Sequence, residues 1–315
     1  MENPCLGLLV RMSISQQFVA DRLQQLKTRF THAGDFCFFA DLDTLPSIFG
    51  VGALLSRNKT LGAGLMRRDF ASASVLGNTP SWVRDYVRLY FAPKTPTLYH
   101  VEGIKRRPDD WPECPIPAYL DFSPQILTLP DVKISDGNMG SPTTNCEDAS
   151  EEFFSSLPFD KIYHRGSTWL LKHREIILRR HAEVLIKAEL SLVHLRRLVF
   201  RSEAEKALGL ALVPMLLMVP SDVDRSWFNA SRPFLDSLTR TESGWSFHVA
   251  NGGRGDTVIY VVPLPSGGTE VRRSICSFPT TWPPFESVDT SELGFPIAGH
   301  RKRTLYLNGH RVAEW

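Results

Sequence analysis

Three short segments combine residue types that could carry chemistry. In Arg179-Arg180-His181-Ala182-Glu183-Val184-Leu185-Ile186 a carboxylate opens an apolar run behind three basic or ionisable residues. A carboxylate that leads into a buried strand must reach solvent or be hydrogen-bonded. At the lip of a cleft it could serve a sugar hydroxyl or a developing cation. Tyr86, Tyr90, Phe91 and Tyr99 surround Pro93, Lys94 and Pro96. That segment offers ring faces for stacking a planar group, a stiff backbone and one cation for phosphate. Arg67 and Arg68 lie in a Gly-, Ser-, Ala- and Arg-rich stretch, 55–81, expected to be a long loop or a loop with short helical pieces. Asp136-Gly137-Asn138 is a turn by its chemistry. Each segment also has an ordinary reading: an aromatic strand packed in the core, a structural glutamate, a surface turn.

The elements that must position these residues follow from periodicity. Ser13 to Phe30 predicts a helix whose apolar side holds Phe18, Val19, Leu23, Leu26 and Phe30. Phe36 to Ala40 predicts a strand, and Leu42 to Phe49 a helix ended by Gly50 and Gly52. Val83–Tyr90, Ala182–Ala188 and Leu192–Phe200 have strand-like length, and helix is expected within 153–159 and 169–180. Leu208 to Val219 contains Pro214 and is expected to be a buried core element. The composition shifts after Asn229, and strand-like runs at 245–249, 257–262, 270–278 and 303–307 predict a small β-rich C-terminal domain.

The chain has 315 residues, 43% hydrophobic and 22% charged, as an ordinary globular protein does. Its net charge is only +2, so nucleic-acid affinity must come from local clustering. Residues 172–201 supply one such cluster, with eight Lys/Arg against three Glu. Trp82 and Trp169 flank the aromatic and basic segments as candidate stacking residues. Five scattered cysteines without a C-x-x-C pair, and no H-E-x-x-H, argue against a zinc site and against a disulfide scaffold. No apolar stretch approaches membrane-spanning length. A soluble protein of the cytoplasm is expected.

Taken in order, these segments resemble the DarT family of DNA ADP-ribosyltransferases, from about Phe36 to Asn229. The match includes the helix entry Asp41 to Leu45, the Leu54-Leu55 turn, Arg67-Arg68, the tyrosine–proline segment, the Asp136-Gly137-Asn138 turn and Ala182-Glu183. Its specific parts are Tyr90–Tyr99 and the context of Glu183. The resemblance implies an α+β fold, an ADP-ribosyltransferase-type split and bent β-sheet with flanking helices. The division expected is an N-terminal amphipathic helix (1–35), the transferase domain (36–229) and the β-rich C-terminal domain (230–315).

The resemblance further implies NAD as co-substrate, no metal, single-stranded DNA as acceptor, and a partner antitoxin that removes ADP-ribose. Glu183 and Arg68 would be catalytic, with Glu183 bonding the 2′-hydroxyl of the nicotinamide ribose. Cys37, Phe38, Phe39, Leu54, Arg68 and Tyr90 would hold NAD, and Tyr86, Lys94, Arg179 and Arg180 would bind nucleic acid. Two positions depart from the family pattern: Phe38 stands where a histidine is usual, and Lys94 where an arginine is. A weakened nucleic-acid-binding module and an NAD glycohydrolase are the alternative functions on the same fold.

Overall fold

The structure, a computed structural model, describes residues 14–67, 69, 73–104, 114–166, 168, 173–240, 245–251, 256–263, 269–276, 287–289 and 304–314. Arg68, Trp169, residues 277–278 and Arg303 lie outside the described residues.

The N-terminal helix α1 (Gln16–Lys27) is capped by Ser15, whose side chain accepts from the amide of Phe18. It buries Val19, Leu23 and Leu26. Strand β1 (Phe36–Asp41) follows, and the predicted helix begins as a 3₁₀ turn before α2 (Leu45–Val51). Gly52 ends α2 in the left-handed region, with φ 76°. The long stretch after it holds β2 (Ala53–Leu55), α3 (Arg57–Gly62) and α4 (Ala73–Asn78). Next come β3 (Tyr86–Tyr90), α5 (Pro96–Val101), β4 (Pro117–Phe122), β5 (Lys133–Ser135) and β6 (Cys146–Asp148). Helices α6 (Glu151–Ser156), α7 (Phe159–Ile162) and α8 (Arg174–Arg179) lead to β7 (Glu183–Lys187), β8 (Glu189–Ser191) and β9 (Leu195–Phe200). Helix α9 (Glu203–Leu212) and β10 (Ser221–Val223) complete this part.

Eight strands form one mixed sheet in the order β10-β9-β4-β1-β3-β7-β5-β6, and β2 pairs with β8 beside it. Strand alternation gives the sheet two unlike faces. One carries Phe36, Val87, Leu89, Ala118, Leu120, Ile134, Val184, Ile186, Leu198 and Phe200, all in the main hydrophobic core. Full burial of each large member contributes about 1.5–3 kcal/mol, so this face anchors every strand it lines. The other face carries the polar and aromatic residues of the segments singled out above.

The sheet is split at its centre. Strand β1 pairs with β4 over six residues and β3 with β7 over five, yet among the described residues Cys37↔Tyr90 is the single register pair joining β1 to β3. The two halves therefore diverge from that point.

Residues 208–219 depart from the expected buried element. Leu208, Val213 and Leu216 are buried, but Pro214 opens a 3₁₀ turn that leaves Met215, Leu217 and Met218 exposed. A helix broken at proline cannot keep one face toward the core through the break. Beyond Asn229, β11 (Phe234–Arg240), β12 (Trp245–Ala250) and β15 (Ser287–Asp289) form one small sheet. A second consists of β13 (Asp256–Pro263), β14 (Thr269–Cys276), β16 (Thr304–Leu307) and β17 (His310–Glu314). Both touch α9 through β11 and β17, and Leu235, Phe247, Leu305 and Val312 join the main core.

Candidate active site

The strand register carries one transverse row of residues across the polar face of the sheet: Arg197, Asp121, Cys37, Tyr90, Glu183, Ser135 and Cys146, each opposite the next. Paired residues on neighbouring strands share a face, so Glu183 lies at the divergence of the sheet, directly across from Tyr90. On one side of it the face is closed by an apolar cluster including Phe39, Leu98, Tyr119, Trp227 and Phe228. On the other side lies a smaller cluster of Val83, Met139 and Leu185.

Glu183 is 1% exposed. It is not the open lip residue that the sequence invites one to expect. Its carboxylate is held by Arg88, whose Nε donates to Oε2 and Nη2 to Oε1, both at 2.8 Å. This two-point pairing of guanidinium and carboxylate is the strong, directional form of the ion pair. Burial pushes the Glu183 carboxyl above its usual range, and Arg88 pulls it back. Burial also works against the Arg88 charge, but Glu183 more than offsets it and holds the guanidinium above its ordinary value. The Arg88 side chain is 32% exposed, so the pair is reached from the Arg88 side.

The segment before Glu183 is fixed by the Asp136-Gly137-Asn138 turn. Ser135 Oγ accepts from the Glu183 amide at 3.1 Å and donates to the Gly137 carbonyl at 3.0 Å. The Asn138 amide donates to the carbonyl of Leu178 in α8. A Cβ on Gly137 would meet that same oxygen at 3.1 Å, which accounts for glycine at this position. Arg179 forms an ion pair with Asp136 at 2.6 Å and Asp136 accepts twice from Asn145. The turn is thus a brace for the start of β7.

Tyr90 stacks on Phe39 with centroids 6.2 Å apart and an interplanar angle of 10°. Its hydroxyl is pushed up to about 12 by burial, with the Glu183 charge adding to the shift. After it, Lys94 turns the chain with φ 56°. Its amide donates to the Tyr119 hydroxyl at 3.0 Å, and Arg180 donates to its carbonyl. The Lys94 side chain is exposed. Two cavities, of about 260 Å³ beside Asp41 and Arg311 and about 380 Å³ beside Arg22 and Phe159, touch none of Glu183, Arg88 or Tyr90. The site is marked by its charged pair and the split of the sheet. Among the described residues no group of three or more His, Cys, Asp or Glu could hold a metal ion, and no helix is long and apolar enough to cross a membrane.

The segment that builds this arrangement, residues 37–228, matches the family model of DarT, described as a ssDNA thymidine ADP-ribosyltransferase. The chain belongs to the DarT family. DarT enzymes are NAD-dependent ADP-ribosyltransferases acting on single-stranded DNA, and this chain is an enzyme of that class. Among solved structures, Thermus sp. 2.9 DarT in complex with ADP-ribosylated ssDNA is 17% identical over 62% of this chain and 96% of that one, with a TM-score of 0.51. The same DarT in complex with NAD⁺ is 16% identical over 62% and 97%, with a TM-score of 0.50. Thermosipho africanus DarTG in complex with ADP-ribose is 18% identical over 67% and 55%, with a TM-score of 0.47. The first two share the fold expected from the resemblance. Comparison with curated protein sequences gave no match.

Against the DarT frame, the residues named from sequence fall into distinct places. Glu183, Tyr90, Cys37 and Phe39 lie on the polar face, with Cys37 and Phe39 buried. Phe38 points to the other face and packs against the main core, because successive strand residues alternate sides. Leu54 is also buried in that core. Arg68 lies outside the described residues; Arg67 is exposed, and Asp69 pairs with Arg57 at 2.6 Å.

Among the described residues, the basic run 172–201 does not form one cationic surface. Arg196 and Arg197 share Asp121, Arg179 is taken by Asp136, and Arg201 is fully buried against Glu102 and Glu205. Arg174 and Lys187 remain exposed. Arg88 and Ser135 were missed. The signal for Arg88 was its strand position between Tyr86 and Tyr90, which puts a cation on the same face as both rings.

The placement of Phe38 gives a definite expectation. Phe38→His is expected to leave kcat/KM for NAD within about threefold, well short of the tenfold that corresponds to about 1.4 kcal/mol of transition-state stabilisation. It should cost stability, up to about 1.5–3 kcal/mol of apolar burial. Steady-state kinetics and urea melting of the same variant check both parts. A tenfold gain in kcat/KM would overturn the packing assignment.

Proposed function

We propose that the chain transfers ADP-ribose from NAD to thymidine in single-stranded DNA, with Glu183 as the catalytic carboxylate. The observation that carries this reading is Glu183 itself: a buried carboxylate held at two points, at the divergence of the sheet, inside the segment that matches the family. In the transfer the bond between the nicotinamide nitrogen and the ribose breaks and its electron pair leaves with nicotinamide. The new bond forms from a base nitrogen to the same ribose carbon, and the N–H proton goes to solvent. A fixed anion beside the ribose stabilises the cationic character that develops there. Tyr90 and Phe39 offer stacked ring surface beside it, and Arg68 is the proposed partner of the attacking base.

DNA is proposed to run along the open part of the same face. Tyr86 lies opposite Lys187 in the register, four residues along each strand from Tyr90 and Glu183. That is about 13 Å at a strand rise of about 3.3 Å per residue. Trp82, 39% exposed, packs edge-on against Tyr86 with centroids 5.5 Å apart. A stacking ring beside a lysine is how sequence-tolerant sites hold a single strand. Lys94 and Arg180 would contribute at the other end, whereas Arg179 supports the turn described above. The family resemblance further supports a toxin acting in the cytoplasm, with an antitoxin that removes ADP-ribose, and a transferase unit at 36–229 followed by an appended β-rich unit at 230–315.

The test is incubation with NAD and a DNA hairpin whose loop and stem both contain thymidine, read by mass spectrometry. Adducts are expected in the loop, because extruding a paired base costs a few kcal/mol. Equal labelling of stem and loop would remove the single-strand assignment. Nicotinamide release without adduct would make the protein an NAD glycohydrolase, and no release would make it a binding module.

A further inference from the structure

We propose that Arg88 is a positioning residue, which holds the buried Glu183 carboxylate ionised and in one orientation for the transfer. The inference rests on the reading of Glu183 given above. Strands β3 and β7 are hydrogen-bonded neighbours, and Arg88 sits diagonally across from Glu183, opposite Leu185. A guanidinium reaching from there meets the carboxylate edge-on and bonds both oxygens at 2.8 Å. The Glu183 backbone is fixed separately by Ser135. Two contacts on the carboxylate and one on the backbone leave the side chain a single orientation. Each carboxylate oxygen has a second acceptor position, so the pairing still allows a ribose hydroxyl to approach.

The charge matters as much as the geometry. A carboxylate 1% exposed loses nearly all hydration and would take up a proton unless a cation faces it. The other titratable groups around it do not supply that charge at neutral pH. From β3 comes Tyr90, pushed up to about 12 by burial, and from β6 Cys146, pushed up to about 11 by burial. His181, in the turn before β7, is driven down to about 4 by burial and stays neutral. Lys133 on β5 is committed to Asp148, and Asp136 to Arg179. Arg88 is the cation in contact. It also follows that none of Tyr90, Cys146 and His181 titrates between pH 5 and 9.

The experiment compares the 315-residue chain with the variants R88M, R88K and E183Q. The readouts are steady-state kinetics on NAD and single-stranded DNA from pH 5 to 9, and the side-chain carboxyl signals of ¹³C-labelled glutamate, with E183Q assigning that of Glu183. R88M is expected to raise the Glu183 midpoint by about one unit or more, the size of shift an adjacent opposite charge produces. The acid limb of kcat should move up with it. Misplacement of the carboxylate should lower kcat by about tenfold to a hundredfold, with KM for NAD nearly unchanged. R88K keeps the charge but not the fork, so it should retain the acid limb and lose part of kcat. If R88M does not fold, R88K decides: a parental kcat there would overturn the orienting role. An unmoved Glu183 midpoint in R88M, with E183Q inactive, would overturn the ionisation role. Full activity of E183Q would instead show that the reading of Glu183 had failed, whatever Arg88 does.

Discussion

Glu183→Gln is expected to lower adduct formation on single-stranded DNA by at least about a hundredfold, the usual cost of removing one fixed group that stabilises transition-state charge. Glutamine fills the same volume, keeps one oxygen to accept from Arg88, and leaves the Ser135 contact to the backbone in place. The variant should therefore fold. Glu183→Ala is the less informative choice, for a reason the burial supplies: at 1% exposure the position lies inside the protein. Alanine would leave a hollow and an Arg88 guanidinium without its carboxylate. Oligonucleotide mass spectrometry over a time course measures the loss, and circular dichroism checks the fold. A decrease of only a few-fold in Glu183→Gln would remove this residue from the chemistry.

The second large effect is on stability. Arg201 is fully buried, and its guanidinium lies 4.3 Å from the centroid of the Phe234 ring. It donates to Glu205, to Glu102 at 3.1 Å and to the Pro115 carbonyl at 3.1 Å. Glu102 in turn accepts from the amides of Asn229 and Ala230, both at 2.8 Å. One buried network thus joins the end of β9, α9, the residue after α5 and the start of the C-terminal part. Arg201→Met would leave two buried carboxylates without their cation, which costs about 3–5 kcal/mol out of a total stability of about 5–15 kcal/mol.

The pH dependence of that loss follows from Glu205. Burial pushes its carboxyl up to about 7 from an ordinary 4.5, although Arg201 pulls it back. With the folded value above the unfolded one, the unfolded chain gives up this proton first. Glu205 therefore lowers stability as pH rises from about 4.5 to about 7. Removing Arg201 extends the loss to higher pH. The deficit of Arg201→Met should be largest above pH 7 and shrink toward pH 5, where the folded-state carboxyl holds its proton with or without Arg201. Urea melting at pH 5 and pH 8 checks this. A deficit under about 0.5 kcal/mol at pH 8, the range of an ordinary surface substitution, would show that the network carries no such load.

The basic run at 172–201 shows why charge counted along the chain differs from charge presented to a partner. Its excess of arginines is apparent in sequence, but Arg196, Arg197 and Arg201 face carboxylates from β4, from β10, from α9 and from the residue after α5. Those carboxylates stand up to about a hundred residues away along the chain. Phe38 and Leu54 show the same for apolar residues: strand alternation turns the Phe38 side chain toward the main core, against which it packs, and Leu54 is buried in that core.

Local properties are legible along the chain. Alternation and periodicity marked β1, β3, β7, β9 and α1, and the order of Tyr90–Tyr99, Asp136-Gly137-Asn138 and Ala182-Glu183 was enough to indicate the family. These signals survive in one dimension because backbone geometry fixes which residues share a face, at periods of about 2 and 3.6. The pairing of distant strands is what brings Arg88 to Glu183, 95 residues later in the chain, and what splits the sheet between β1 and β3. Both depend on the order and register of strands, which long-range pairing sets and no local pattern encodes. The burial of Glu183 is a product of that same pairing: strands β3 and β5 flank it, and the cation that compensates it comes from one of them.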